Sequence, residues 1–306
     1  MTDKLKEIVN EYFVGNEKVV ENVLICMLAG GHVLIEDVPG VGKTTLVKTL
    51  AAAVDLDFGR IQFTPDTLPS DVTGVSMLNM KTGQFEYREG SVMHQIILAD
   101  EINRTSPKTQ SALLEAMAEG HVTVDDKSYD LPRPFMIIAT QNPVEFAGTY
   151  PLPEAQLDRF MMKLSIGYPT PENEILITRR FLEGKTSDKI KSVVSSSQLL
   201  KMMDEVRDVK IADNVLKYAG DIIGLTRTEK RFVMGVSSRA MIMMVQAARA
   251  RAYLYGREFV TPDDVKAVAV NTLHHRVSLS YDARISGESV DQVIYSDVLK
   301  AKVPMV

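Results

Sequence analysis

The chain has 306 residues, 45% of them hydrophobic and 25% charged, with a formal net charge of −5. That is ordinary globular composition, with enough apolar material for a sizeable core, and it excludes a disordered or fibrous chain. The acidic balance gives no general pull toward nucleic acid or an anionic membrane, and no stretch approaches the roughly 18 apolar residues that would span a bilayer.

The N-terminal segment Met1-Thr2-Asp3-Lys4-Leu5-Lys6-Glu7 is mixed in charge and lacks the apolar run of a signal peptide, so a soluble, cytoplasmic protein without membrane insertion is expected. The single cysteine, Cys26, lies in the apolar run Val23 to Leu28, where it reads as a buried structural thiol. Gly31 to Glu36 reads as a strand, followed by a Gly-rich turn and a helix from Thr44 to Val54. Gln95 to Ala99 and Phe135 to Ala139 are further strands, each a short continuous apolar run of the kind a buried parallel sheet requires. Met77 to Tyr87 and Val122 to Tyr129 read as two hairpins inserted into this alternation, with turns at Thr-Gly and at Asp-Asp-Lys. After Tyr168-Pro169-Thr170-Pro171 the pattern turns helical, with a polar passage from Gly184 to Ser197 expected as a loose connection. The organisation expected is therefore an α/β core over residues 1–169 and a helical domain with its connecting segment over 170–306.

Glu36-Asp37-Val38-Pro39-Gly40-Val41-Gly42-Lys43-Thr44-Thr45 stands between a strand and a helix. Consecutive backbone N–H groups and the positive helix end suit phosphates there. Lys43 is placed to reach the β/γ oxygens, and the Thr44 hydroxyl to join Mg²⁺. The first glycine of the strict phosphate-loop pattern is Asp37 here, so Pro39-Gly40 must make the bend, and Gly42-Lys43-Thr44 carries the main contacts. The second strand ends in Asp100-Glu101. Phosphoryl transfer to water needs one carboxylate near the metal and another to orient and deprotonate the attacking water, which assigns Asp100 to the metal shell and Glu101 to the base.

These segments, with Ala99-Asp100-Glu101-Ile102-Asn103-Arg104, Ala139-Thr140-Gln141-Asn142-Pro143, Gly148 to Phe160 and Gly235-Val236-Ser237-Ser238-Arg239-Ala240, resemble the MoxR family of AAA+ ATPases over nearly the whole chain. The resemblance implies an AAA+ fold in which a parallel sheet is flanked by helices, with inserted β-hairpins of the helix-2-insert group and an all-helical lid. It implies that Asn142 is the sensor 1 residue, that Arg239 is sensor 2, reaching from the lid onto the same subunit's phosphates, and that Arg159 is the arginine finger. It also sets Val14-Gly15 against the adenine of ATP. Ser238 stands where the family often has proline. Arg104 and Arg133 compete with Arg159 for an interface role. The resemblance further implies a homo-oligomeric ring, a hexamer, that remodels or matures a client protein, with metal-cofactor insertion as one form of that work and a von Willebrand factor A-domain protein as partner. Two alternatives stay open: a nucleic-acid or chelatase-like motor, and a nucleotide-gated scaffold without turnover. His274-His275 has no metal-ligand spacing around it and reads as packing or surface, and Met241, Met243 and Met244 read as core. Thr261 is the expected cap of a lid helix beginning at Pro262.

Overall fold

The structure, a computed structural model, describes residues 1–143 and 148–303. Two helices open the chain, α1 (Thr2–Tyr12) and α2 (Glu17–Leu28). The Asn16 side chain caps α2 by accepting the Lys18 N–H at 3.0 Å, and α2 buries a long face that includes Cys26, whose thiol pKa burial pushes up.

Alternation of strand and helix follows: β1 (Val33–Glu36), α3 (Lys43–Ala53), β2 (Phe58–Gln62), α4 (Pro69–Thr73), a hairpin of β3 (Gly74–Asn79) and β4 (Gln84–Glu89), then β5 (Ile96–Asp100) and α5 (Pro107–Glu119). A second hairpin, β6 (His121–Val124) and β7 (Lys127–Asp130), precedes β8 (Met136–Gln141), α6 (Glu154–Leu157) and β9 (Met162–Leu164). The five strands of the main sheet run parallel in the order β2-β5-β8-β1-β9. The apolar runs are continuous because both sheet faces are covered. Val33, Ile35, Ile96, Leu98 and Ile138 join one buried cluster with α2 and α3, while Leu34, Ile97, Ala99, Ile137 and Ala139 join another with α5. In register, Gln62 lies beside Asp100 and Glu36 beside Gln141, so the polar residues that end these strands meet along one edge.

Both inserted hairpins form where expected. Asp125 and Asp126 adopt φ of 49° and 62°, which suits a tight two-residue turn. The two hairpins are joined by a stack of Tyr87 on Tyr129, ring centroids 3.8 Å apart, and the Tyr87 hydroxyl donates to the Thr73 carbonyl at 2.7 Å.

The remaining elements are helical: α7 (Pro171–Leu182), α8 (Ser196–Asp208), α9 (Asp213–Thr228), α10 (Ser238–Leu254), α11 (Pro262–Leu273), α12 (Tyr281–Ile285) and α13 (Val290–Ser296). The passage expected to be a loose connection is partly anchored: the Val193 N–H donates to the Ala53 carbonyl at 2.9 Å, Val194 is buried, and Ser195 caps α8. Apolar side chains at Val193 and Val194, inside an otherwise polar stretch, account for the difference. Thr261 caps α11 with Pro262 at its first position, and the Asp264 carboxylate accepts the Thr261 N–H at 2.8 Å. Met244 is fully buried, with Met241 and Met243 packed against the same cluster. His275 is buried against the Phe160 carbonyl at 3.0 Å, and His274 pairs with Asp291 at 2.9 Å. No helix among the described residues is long and apolar enough to cross a membrane.

Candidate functional site

The loop between β1 and α3 turns on two glycines in the left-handed region, Gly40 at φ 87° and Gly42 at φ 91°. No side chain caps α3, so its first N–H groups remain open toward the loop, the arrangement that receives an anion. Phe13 packs the N-terminal segment onto this loop. A Cβ at Gly15 would stand 2.7 Å from the Phe13 ring and force the ring to shift, whereas one at Gly42 would meet the ring at an ordinary 3.4 Å, so it is the positive φ that favours glycine there.

Asp37 departs from the phosphate-loop pattern for a visible reason. Its side chain is buried, and Oδ2 accepts the N–H groups of Ile166 at 2.6 Å and Gly167 at 2.8 Å and the Ser165 hydroxyl at 3.1 Å, while Oδ1 accepts the Val38 N–H at 3.0 Å. A glycine there would leave those donors unpaired. Lys43 is half-buried and its ammonium donates to the Asp37 carbonyl at 2.6 Å. Burial lowers the Lys43 pKa, and the carboxylates of Asp37, Asp100 and Glu101 oppose that shift. The phosphate loop and the acidic pair are thus electrostatic neighbours.

Thr140 on β8 organises that pair. Fully buried, its hydroxyl donates to Asp100 Oδ1 at 2.7 Å and accepts the Glu101 N–H at 2.8 Å. Asp100 Oδ2 is held by Arg60 of β2 at 2.6 Å, and Glu101 Oε2 accepts from Gln62 at 3.0 Å and from Arg104 at 3.0 Å. Glu101 itself adopts φ 57°, a conformation costly for a residue with a side chain and characteristic of functional turns. Asn142, 6% exposed, lies just past the end of β8, where the neighbouring Gln141 carbonyl accepts the Asp37 N–H at 3.1 Å.

A cleft of about 790 Å³ opens beside the loop, bordered by Val14, Gly15, Gly40, Val41, Gly42, Thr44 and Thr45 on one side and by α7 on the other. Its size suits a nucleotide. Pro39 lies in the loop without lining the cleft. Thr44 and Asp100 offer a hydroxyl and a carboxylate, hard oxygen donors of the kind that Mg²⁺ prefers.

The arginines separate into distinct places. Arg104 pairs with Glu101 at 3.0 Å. Arg133 precedes β8 and lies at the opposite end of that strand from Asn142, on the order of 20 Å away at the rise of a strand. Arg159 donates to the Leu114 carbonyl of α5 and borders a shallow groove with Glu115, Glu119 and His121. Arg239 does not line the cleft, and its side chain is 54% exposed with the guanidinium 3.8 Å from Asp158, the residue before Arg159. Packing sets this position: Ser237, which caps α10, donates to both Asp158 oxygens at 3.2 and 3.1 Å, and the buried Arg276 donates to Asp158 Oδ1 at 2.7 Å. Together these contacts dock the α10 N-terminus on Asp158.

Comparison with known proteins agrees with this architecture. Residues 32–162 match the family model described as ATPase family associated with various cellular activities, and residues 224–296 match the AAA lid domain. The chain is 47% identical over 302 residues to Bacillus subtilis YeaC, an uncharacterised protein, covering 99% of this chain and 94% of the relative. It is 39% identical over 301 residues to the chaperone MoxR1 of Mycobacterium tuberculosis, covering 95% of this chain and 79% of the relative. The crystal structure of a Cytophaga hutchinsonii protein superposes with a TM-score of 0.92 at 41% identity, covering 99% of this chain and 94% of the other.

Proposed function

The chain belongs to the MoxR family of AAA+ ATPases, and from that membership we propose that it hydrolyses ATP as a subunit of a ring, most simply a hexamer, that acts on a client protein. The observation that carries the proposal is the buried Thr140, which fixes Asp100 and Glu101 together opposite the Lys43 loop. In this reading Lys43 and the loop N–H groups hold the phosphates. Thr44 and Asp100 would hold Mg²⁺, whose chemistry is to neutralise charge on the β/γ oxygens. Glu101 orients the water and takes its proton, with Asn142 aligning the same water. Arg159 is assigned to the neighbour's site on the family resemblance, and Arg239 with it because the start of α10 docks on Asp158, the residue before Arg159.

What supports the ring is the family resemblance together with the chemistry: an arginine brought across an interface can stabilise charge on the transferred phosphoryl group, and Arg159 is the residue proposed for it. Family resemblance alone supports the further reading of chaperone-like maturation, with a von Willebrand factor A-domain partner and metal-cofactor insertion as its more specific form. A nucleic-acid motor draws less support, since the tip of the second hairpin carries Asp125 and Asp126 beside Lys127, whereas a strand-gripping loop favours positive charge. The test is Lys43→Ala, which removes the ammonium from the phosphates. Calorimetry should find no measurable ATP binding, and wild-type affinity in that variant refutes the site.

A further inference from the structure

Helix α7 presents Asn173, Ile177, Arg180 and Phe181 to the nucleotide cleft. Their spacing of three and four residues places them on one helix face, with Arg179 turned elsewhere and exposed. Helix α7 buries none of its residues, so no core packing dictates where Arg180 lies. Even so, Arg180 Nη1 is shut off from solvent and has no hydrogen-bond partner, and no ion pair to Arg180 occurs among the described residues. An arginine near a helix C-terminus often does no more than complement the helix dipole. Arg179 fills that role from the exposed side, and it would not require a shielded, unpartnered donor at Arg180.

The other cations around the cleft have protein partners. Lys43 donates to the Asp37 carbonyl, the Lys48 ammonium lies 5.9 Å from the centroid of the Phe58 ring, and Lys185 stands 4.0 Å from Glu183. Buried polar atoms without partners are rare in native proteins and call for a ligand or water. Arg239, the lid arginine that the resemblance sets on the phosphates, stands 3.8 Å from Asp158 and does not line this cleft. We infer that Arg180 is the lid residue that binds the phosphate chain of the nucleotide within its own subunit. The inference rests on the cleft being the ATP site. A guanidinium offers paired N–H donors in a rigid fork that matches two phosphate oxygens, while Ile177 and Phe181 offer apolar surface to the base from the same face. Nucleotide binding thereby satisfies the orphaned donor and draws α7 onto the cleft.

The test compares Arg180→Met, which keeps side-chain length and helix propensity but removes the donors, with Arg180→Lys and with the opposite-face control Arg179→Met. Affinities for ATP, ADP and AMP are measured by calorimetry, alongside melts without nucleotide. Arg180→Met should weaken ATP and ADP at least tenfold and AMP less, Arg180→Lys should fall between it and wild type, and Arg179→Met should match wild type. If Arg180→Met binds ATP like wild type while Lys43→Ala does not, the inference is overturned and the ATP site stands. If Lys43→Ala also binds normally, the ATP site itself fails. Equal loss of all three nucleotides in Arg180→Met, with no recovery in Arg180→Lys, makes Arg180 a support for α7 and equally overturns its role as a phosphate ligand.

Discussion

The carboxylate of Asp37 accepts the backbone N–H of Ile166 at 2.6 Å, across 129 residues of sequence. That bond, with those from Gly167 and Ser165, ties the phosphate loop to the chain leaving the sheet toward α7. Asp37→Gly restores the literal phosphate-loop pattern, yet it is expected to do harm. It removes the acceptor of three backbone donors, Val38, Ile166 and Gly167, the second of them buried, a loss of about 2–4 kcal/mol, and loosens the loop that holds Lys43. Urea melts and ATP titration should both show the defect. A variant as stable as wild type that binds ATP equally well would mean that Asp37 is a passive substitute for glycine.

Thr140 and Glu101 separate positioning from proton transfer. Glu101→Gln keeps the size of the side chain but removes the base, so ATP binding should persist while turnover falls by roughly 10² or more. Thr140→Val keeps the shape and removes the hydroxyl that touches Asp100 and the Glu101 N–H. Its turnover should fall roughly tenfold, the scale of one hydrogen bond to a charged group, again with binding retained. Normal hydrolysis by Glu101→Gln would return the base to Asp100.

Acid lability follows from His32. Its Nδ1 accepts the Ile137 N–H at 3.0 Å and its Nε2 lies 3.3 Å from the Met117 carbonyl, and burial lowers its pKa from 6.5 to about 4. The unfolded chain therefore takes up a proton between these values while the folded chain does not. Stability is full above pH 6.5 and declines as pH falls toward 4, by about 3 kcal/mol from this group; His275, also held well below its usual value by burial, adds in the same direction. Melts across that range should slope downward toward acid, and His32→Gln should slope less. Parallel curves for the two proteins would remove His32 from the account.

The parts of the site legible in the sequence are those built from contiguous chain. Gly42-Lys43-Thr44 is a backbone device, and Asp100-Glu101 follows an apolar run whose end is a strand end, so both announce themselves locally. Thr140, Arg60 and Arg276 are invisible to that kind of reading because their partners lie 39 to 118 residues away in sequence. Only Thr140 left a trace: a polar residue closing the apolar run Met136 to Ala139 is expected to find a buried partner. The surroundings of Arg239 are hidden for the same reason. The sequence around it specifies a capped helix start, which forms, but where that helix docks is decided by Asp158, Ser237 and Arg276, contacts with no local signature.

The position of Arg159 makes the most exposed prediction, because it tests the ring along with the residue. Arg159 is held against the Leu114 carbonyl of α5, on the face that carries Glu115, Glu119 and His121. Arg159→Ala should therefore leave nucleotide binding in each subunit largely intact while hydrolysis collapses for want of charge stabilisation in the transition state. Mixing it with Glu101→Gln subunits creates interfaces in which one chain supplies Arg159 and the other an intact Glu101, so activity should return although each variant alone is dead. Arg239→Ala should be rescued by Glu101→Gln in the same way. A residue acting within its own subunit cannot be rescued so, since every Glu101 in the mixture would belong to a chain lacking it. Light scattering with ATP and Mg²⁺ first establishes that mixed assemblies form. If they form and stay inactive at every mixing ratio, Arg159 is not the residue that completes the neighbour's site, and the ring mechanism must find its arginine elsewhere on that face.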